Sequence, residues 1–288
     1  MTRTDDDVAL DAVLDPLVLA LDIGSTATRG GVHDASGRRV HGLQHKVPHA
    51  FTVAPDGTSV IDPDQVTAEV EQVLDAVTGD PRLGTRIAGV AMDTFAASLI
   101  AVEVAGRART PCLTHADSRS ADAVTALRAE LDEHAVQQRT GTRLHTSYHA
   151  PRLRWFAAVQ PRVVAEAALW WSLGEYVLAR LVGHPLAGTS TVAWTGLLDR
   201  RTGELDAELL AAAGVGPERL SPPRDVPQPA PSAARARPVG LPPRSRAGPL
   251  RRYVRQPGQP DRYILTAVHE GVRCHEGSGP HLERGRGR

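Results

Sequence analysis

The sequence predicts an α/β fold in which a mixed sheet comes first and a helical region follows. Short apolar runs typical of buried strands occupy the part of the chain before Val104, together with one amphipathic helix. From Ser120 onward, apolar residues recur at helical spacing instead. Since no internal repeat divides this part, we expect one domain with a helical insertion.

The first strand is predicted at residues 17–21, an apolar run that ends at Asp22. A Gly-Ser-Thr turn at 24–26 and a second short strand near 30–33 complete a hairpin. Such a turn directs backbone N–H groups and small hydroxyls to one place, which suits a phosphate. Asp22 is placed to reach a phosphate-bound Mg²⁺, and Arg29 could add positive charge. The alternative is a purely structural turn, and the sequence is not that of a P-loop.

The next helix has a clear start. Asp62 is suited to the N-cap and Pro63 to the first helical position. One apolar stripe follows, formed by Val66, Val70, Val73, Leu74 and Val77. Strands are predicted at 38–47, 87–92 and 98–104, and helices at 121–131, 151–159, 173–181 and 203–213.

Composition narrows the class of protein. The chain of 288 residues is 41% hydrophobic but only 4% aromatic, so the core must be built from Ala, Val and Leu. Cys112 and Cys274 form no disulfide framework, and a reducing cytoplasm is the expected location. No apolar run is long enough to span a bilayer. Residues 1–15 are acidic and are predicted to be a flexible extension.

Charge divides the chain near Ser221. Residues 1–221 carry 20 basic and 28 acidic side chains, whereas residues 222–288 carry 13 basic and 5 acidic ones. The second segment also holds 12 of the 22 prolines. We therefore expect an organised domain at 16–221 and a disordered Arg/Pro-rich tail at 222–288.

Several segments together resemble the N-terminal domain of FGGY carbohydrate kinases, in particular the gluconokinase-like members. They are 22–29 (DIGSTATR), 91–99 (AMDTFAASL), 114–120 (THADSRS), 139–155, and 172–203 with its Ser-Leu-Gly-Glu-Tyr and Thr-Gly elements. The resemblance covers about three quarters of the chain. Each segment is weak alone, but their order and spacing are specific to the family.

The resemblance implies an actin-like, ribonuclease-H-like domain and ATP-dependent phosphorylation of a sugar or sugar acid, with ATP and Mg²⁺ required. The residues implied to face the ATP phosphates are Asp22, Gly24, Ser25, Thr26 and Arg29, with Asp22 reaching the metal. Those implied to line the sugar side are Thr94, Phe95, Asp117, Arg119 and Tyr148. A different interpretation of Asp117 and Arg119 is that they only begin the next helix.

The chain also departs from the family pattern. Ala96 and Ala97 replace an aromatic or Met-His pair, and His115 replaces a Trp, which leaves the identity of the sugar open. The family's general-base Asp, in a Gly-Asp segment after Leu220, has no counterpart, so no catalytic residue is assigned. The implied second, ATP-binding domain is likewise not matched, and we expect this chain alone to be inactive.

A frameshift would account for the unmatched general base and for the abrupt change in charge and in proline content after Ser221. Read with GC-favoured codons and a slip of one base, residues 251–262 become a Gly/Ala-rich sequence that resembles the segment after the family's catalytic Asp. We therefore predict a change of frame between about Ser221 and Arg251.

Other functions stay open. The domain could be a non-catalytic sugar-binding or regulatory module. The sequence also leaves open that the chain forms a homodimer. A nucleic-acid arm is not expected, because the basic tail has few aromatics and no folded motif. The expected partner is a small-molecule sugar or sugar acid, with no membrane.

Overall fold

The structure, a computed structural model, describes residues 7–84, 86–224 and the backbone of 263–268. Its centre is a five-stranded sheet with the order β12-β6-β1-β2-β3. The bounds of these strands are β1 Leu17–Ile23, β2 Ala27–His33, β3 Arg39–Pro48, β6 Ile87–Thr94 and β12 Tyr263–Val268. The β1, β2 and β3 strands are antiparallel neighbours, while β6 runs parallel to β1 and β12 runs parallel to β6.

Short strands extend the fold beyond this sheet. The bounds are β4 Thr52–Val53, β5 Ser59–Ile61, β7 Ile100–Val102, β8 Cys112–Leu113, β9 Leu169–Trp171, β10 Leu198–Asp199 and β11 Glu204–Leu205. The β4, β5 and β8 strands form one small sheet, β7 pairs with β9, and β10 pairs with β11.

Helix α1 (Pro63–Thr78) covers one face of the central sheet. Asp62 caps it by accepting a hydrogen bond from the Asp64 N–H, as the sequence predicts, and the predicted apolar stripe is buried. The helix approaches β2 so closely that a Cβ on Gly30 would lie 2.4 Å from Val73 Cγ1. Glycine at this position therefore sets the distance between helix and sheet.

The helical region packs around a second core that includes Leu127, Phe156 and Trp170. The helices after α1 are α2 Ala121–Glu130, α3 Glu133–Thr140, α4 His149–Val159, α5 Pro161–Glu166, α6 Leu173–Val182, α7 Thr189–Ala193 and α8 Ala207–Ala213. Of these, α6 packs beside α1. The predicted helix at 203–213 begins later than expected, because β11 occupies its start and Asp206 caps α8. No helix within the described ranges is long and apolar enough to cross a membrane.

The chain ends differ from the sequence expectations. Residues 7–15 of the predicted extension pack against the sheet: Val8 and Leu10 are buried, and the Val8 N–H donates to the Arg39 carbonyl over 2.9 Å. Within the predicted disordered tail, Tyr263–Val268 form the edge strand beside β6. Residues 1–6, 225–262 and 269–288 lie outside the described part, and so do Cys274 and the predicted change of frame.

Candidate functional site

A cleft of about 870 Å³ opens at the carboxyl ends of β1 and β6. The end of a parallel strand pair is where open α/β sheets place their ligands. The turn between β1 and β2 forms one side of the cleft, and residues 141–148 form the other. The five residues predicted to face phosphate all line it: Asp22, Gly24, Ser25, Thr26 and Arg29.

Asp22 and Arg29 face each other across the hairpin. They are paired in the β1–β2 register, and Arg29 Nη1 lies 3.0 Å from Asp22 Oδ2. About half of each side chain is exposed, so the pair contributes no more than about 1 kcal/mol to stability. Because this ion pair is weak, a ligand carrying both a cation and an anion could separate it at low cost.

The turn itself presents N–H groups to the cleft. Among the described hydrogen bonds, none uses the N–H of Ser25 or Thr26, and both residues are exposed. The Gly24 N–H is used differently, since it donates to the Ala27 carbonyl over 3.0 Å. Gly24 therefore shapes the turn, while the next two residues offer donors for an anion.

A second carboxylate, which we did not predict, lies beside Asp22. Asp93 near the end of β6 is the register partner of Asp22 on β1, and it lines the same cleft. Neighbouring parallel strands are about 4.8 Å apart, so the two acids share one edge of the sheet. The signal was present in the sequence as two apolar runs that each end in Asp, but only the strand pairing relates them.

Three residues predicted for the sugar side, Thr94, Phe95 and Tyr148, also line the cleft. Thr94 and Phe95 lie at its floor beside β1, where the Phe95 N–H donates to the Ile23 carbonyl over 2.9 Å. Tyr148 depends on Gly196, which has a φ of +75° and would place a Cβ only 2.9 Å from the tyrosine ring. Glycine is required here both for the positive φ and for the close approach. The tyrosine is thus held by the loop before β10.

Asp117 and Arg119, the other predicted sugar residues, are not brought to the cleft. Asp117 is 1% exposed; it accepts a hydrogen bond from the Ser59 N–H over 3.0 Å and pairs with Arg119 over 2.7 Å. The Arg119 guanidinium lies over the Trp155 ring, 4.7 Å from its centroid. Asp117 thus ties the segment before α2 to β5, and Arg119 packs on α4, which is closer to the alternative structural interpretation.

Further side chains that can form hydrogen bonds line the cleft wall: His115, Gln137, Arg143, His145 and Trp194. Of these, only His115, which stands in place of the family's Trp, was considered from the sequence. Three of them can carry positive charge, and Phe51 supports His115 from behind at a ring distance of 6.2 Å. These residues come from four separate segments, so no local pattern relates them.

A buried arginine holds this wall in place. Arg152 on α4 is fully buried and donates to the carbonyls of Thr146, over 2.7 Å, Ala97, over 2.6 Å, and Thr114. Burial lowers the pKa of the guanidinium to about 10. Ala97 itself has a φ of +53°, a left-handed conformation that is costly for alanine. The three carbonyls lie at the edge of the cleft, so Arg152 fixes its shape.

Comparison with known proteins now identifies the family. The model of the FGGY family of carbohydrate kinases, N-terminal domain, matches residues 17–227. This chain belongs to the FGGY family. Gluconokinase of Bacillus subtilis is 24% identical over 204 residues, which cover 71% of this chain but 39% of that protein. The chain therefore spans about two fifths of the length of the curated relatives it matches.

Solved FGGY structures show the same fold. Gluconate kinase from Lactobacillus acidophilus superposes with a TM-score of 0.67 at 24% identity and covers 72% of this chain and 42% of its own. Xylulose kinase from Rhodospirillum rubrum gives 0.71 at 22% identity and covers 88% of this chain and 49% of its own. The domain thus has the actin-like ATPase fold that the sequence predicts.

The residues of the cleft fit a phosphate-bound metal better than a metal bound by protein alone. The described ranges hold no cluster of three or more His, Cys, Asp or Glu side chains that could bind a metal. Mg²⁺ is commonly bound through one or two carboxylates together with substrate phosphates. Asp22, half exposed beside unused N–H groups, meets that requirement in this FGGY domain.

Proposed function

We propose that this chain forms the phosphate- and sugar-facing part of an ATP-dependent carbohydrate kinase. One observation carries the proposal: the hairpin at Asp22, Thr94 at the end of the neighbouring strand β6, and Tyr148 all line one cleft. Family membership makes phosphoryl transfer to a sugar hydroxyl the expected reaction. The substrate class is a sugar or a sugar acid such as gluconate, since relatives include gluconokinase and xylulose kinase.

In this reaction the chain positions its ligands more than it reacts with them. The N–H groups of Ser25 and Thr26 bind phosphate oxygens, and Arg29 leaves Asp22 to neutralise their charge. The sugar lies between Thr94 and Phe95, at the end of β6, and Tyr148, on the side of the cleft formed by residues 141–148. Mg²⁺, held by Asp22, would supply charge neutralisation to the phosphates. We assign no general base within the described residues.

A second function is compatible with the same cleft. The domain could bind a sugar acid without phosphorylating it, as a regulatory module. Arg143, His145 and His115 favour an acidic ligand because they add positive charge to the cleft wall. Neither function depends on the predicted basic tail.

Two measurements on the purified chain separate these functions. A coupled assay of ADP release, with gluconate and with pentoses, measures turnover, and titration calorimetry with the same compounds measures binding. ADP release would establish a working kinase. Heat of binding without turnover supports either the binding module or a kinase part that needs further sequence, and heat from none of the compounds would contradict the sugar site.

The predicted frameshift is tested on the coding DNA. Resequencing should start at the codon of Val215 and continue beyond the codon of Arg288, with translation of the neighbouring frame. A neighbouring frame that opens into a Gly-Asp motif supports the kinase part, whereas a closed frame favours the binding module.

A further inference from the structure

The turn that faces phosphate is held from behind by His49, just after β3. The His49 N–H donates to the Thr26 carbonyl over 3.0 Å, and the ring Nε2 lies 2.9 Å from the Gly24 carbonyl oxygen. The His49 side chain is fully buried. One residue thus contacts the backbone at both ends of the turn, on the side away from solvent.

The other ring nitrogen ties His49 to α1. His49 Nδ1 lies 2.7 Å from Glu69 Oε2, which also accepts the hydroxyl of Thr28 over 2.9 Å. Gln65 donates to the second carboxylate oxygen over 2.9 Å. A carbonyl can only accept, so Nε2 donates to Gly24, and the hydrogen bond between Nδ1 and Glu69 fixes the orientation of the ring. Glu69 is also buried.

The direction of these bonds determines where the turn's donors point. In a planar trans peptide, the C=O and the following N–H point in opposite directions. With the Gly24 carbonyl drawn toward His49, the N–H of Ser25 must point away from it. Ser25 lines the cleft, so its donor is available there. In many tight turns the carbonyl of the first residue accepts a hydrogen bond from the N–H of the fourth. Among the described hydrogen bonds, none joins the Ala27 N–H to the Gly24 carbonyl, so that carbonyl is free to bind His49.

We propose that His49, oriented by Glu69, is a positioning residue that aims the N–H of Ser25 at the phosphate chain of the nucleotide and so sets the affinity of the cleft for phosphate. The inference rests on the proposed function, because phosphate is the ligand in both. It adds a part of the site that does not touch the ligand: a buried hydrogen-bonded pair, His49 and Glu69, that links α1 to the turn.

The test is titration calorimetry of the full chain with Mg²⁺ and tripolyphosphate, which carries the phosphates without the nucleoside. His49→Phe keeps a ring but removes both ring nitrogens, and it should weaken binding by about tenfold or more. His49→Gln retains one donor for Gly24 and should recover affinity to within about threefold of the unaltered chain. Gln65→Ala is the matched control, since it removes a bond to Glu69 without touching the turn, and should bind normally.

A second measurement does not depend on how the variants fold. In the ¹⁵N spectrum of the unaltered chain, the amide signal of Ser25 should shift when Mg²⁺ and tripolyphosphate are added. An unmoved Ser25 signal in a chain that binds the probe would overturn the inference.

Asp22→Ala distinguishes the two levels of the argument. If it abolishes binding while His49→Phe binds like the unaltered chain, the inference about His49 fails and the phosphate site stands. If the unaltered chain does not bind the probe, or if Asp22→Ala binds equally well, both the inference and the proposed phosphate site are overturned.

Discussion

Arg152→Met tests how the cleft wall is held together. The guanidinium of Arg152 bonds three carbonyls, and methionine fills much of the same volume without a donor. Hydrogen bonds from a charged donor contribute about 1.5–3 kcal/mol each, so the three together contribute about 5–9 kcal/mol. The cost of burying the cation opposes this contribution. Burial lowers the pKa of Arg152 from 12.5 to about 10, which corresponds to a cost of about 3 kcal/mol.

The balance predicts that Arg152→Met lowers the free energy of unfolding by about 2–6 kcal/mol. For a domain of this size, the midpoint of thermal unfolding should fall by roughly 4–24 °C. Arg152→Lys keeps the charge but not the planar fork, so its loss should be smaller. Calorimetric or circular-dichroism melting measures these changes.

The control is Arg82→Met, because Arg82 is mostly exposed and pairs only with Asp80 in a loop. Its effect should stay within about 0.5 kcal/mol. If Arg152→Met changes stability no more than this control does, the carbonyls are satisfied in another way. The conclusion that Arg152 fixes the cleft wall would then be wrong.

Two further predictions concern packing and pH. Gly30→Ala should destabilise the domain by about 1–3 kcal/mol in chemical unfolding, because its Cβ would collide with Val73. The control is Gly31→Ala, whose Cβ would lie at an ordinary contact distance of 3.4 Å from Gln44. An equal loss of stability in both variants would contradict the close packing of α1 on β2. Burial lowers the pKa of His149 to about 3 in the folded chain. Below about pH 6.5, this histidine therefore binds a proton in the unfolded chain but not in the folded one. The free energy of unfolding should therefore fall by up to about 1.4 kcal/mol per pH unit as the pH is lowered from about 6.5 to 3. His149→Gln should lack this contribution. Identical dependence of the free energy of unfolding on pH in the two proteins would refute the prediction.

Local signals predicted the parts of the fold that depend on neighbouring residues. The hairpin follows from an apolar run that ends in Asp22 and a Gly-Ser-Thr turn, and α1 follows from its cap, proline and stripe. Helix α3 was missed because only Val136 and Thr140 of its eight residues are buried, which leaves no amphipathic pattern.

The site was predicted only in part because much of it is assembled by tertiary contacts. The phosphate side lies within one hairpin and could be read from the sequence, whereas the position of Asp93 depends on its register with Asp22. Asp117, predicted for the sugar side, does not line the cleft, and this too depends on a tertiary contact. Its carboxylate is used by the Ser59 N–H, which is 58 residues away in the chain.

The central claim is that the Asp22 hairpin binds phosphate within the same cleft as the sugar wall. The most direct measurement uses Mn²⁺ with ATP as a paramagnetic probe and records amide signals of the chain. We expect line broadening at Ser25, Thr26 and Tyr148, none in α8, and loss of the broadening in Asp22→Asn. Broadening that spares the hairpin, or that persists unchanged in Asp22→Asn, would contradict the claim.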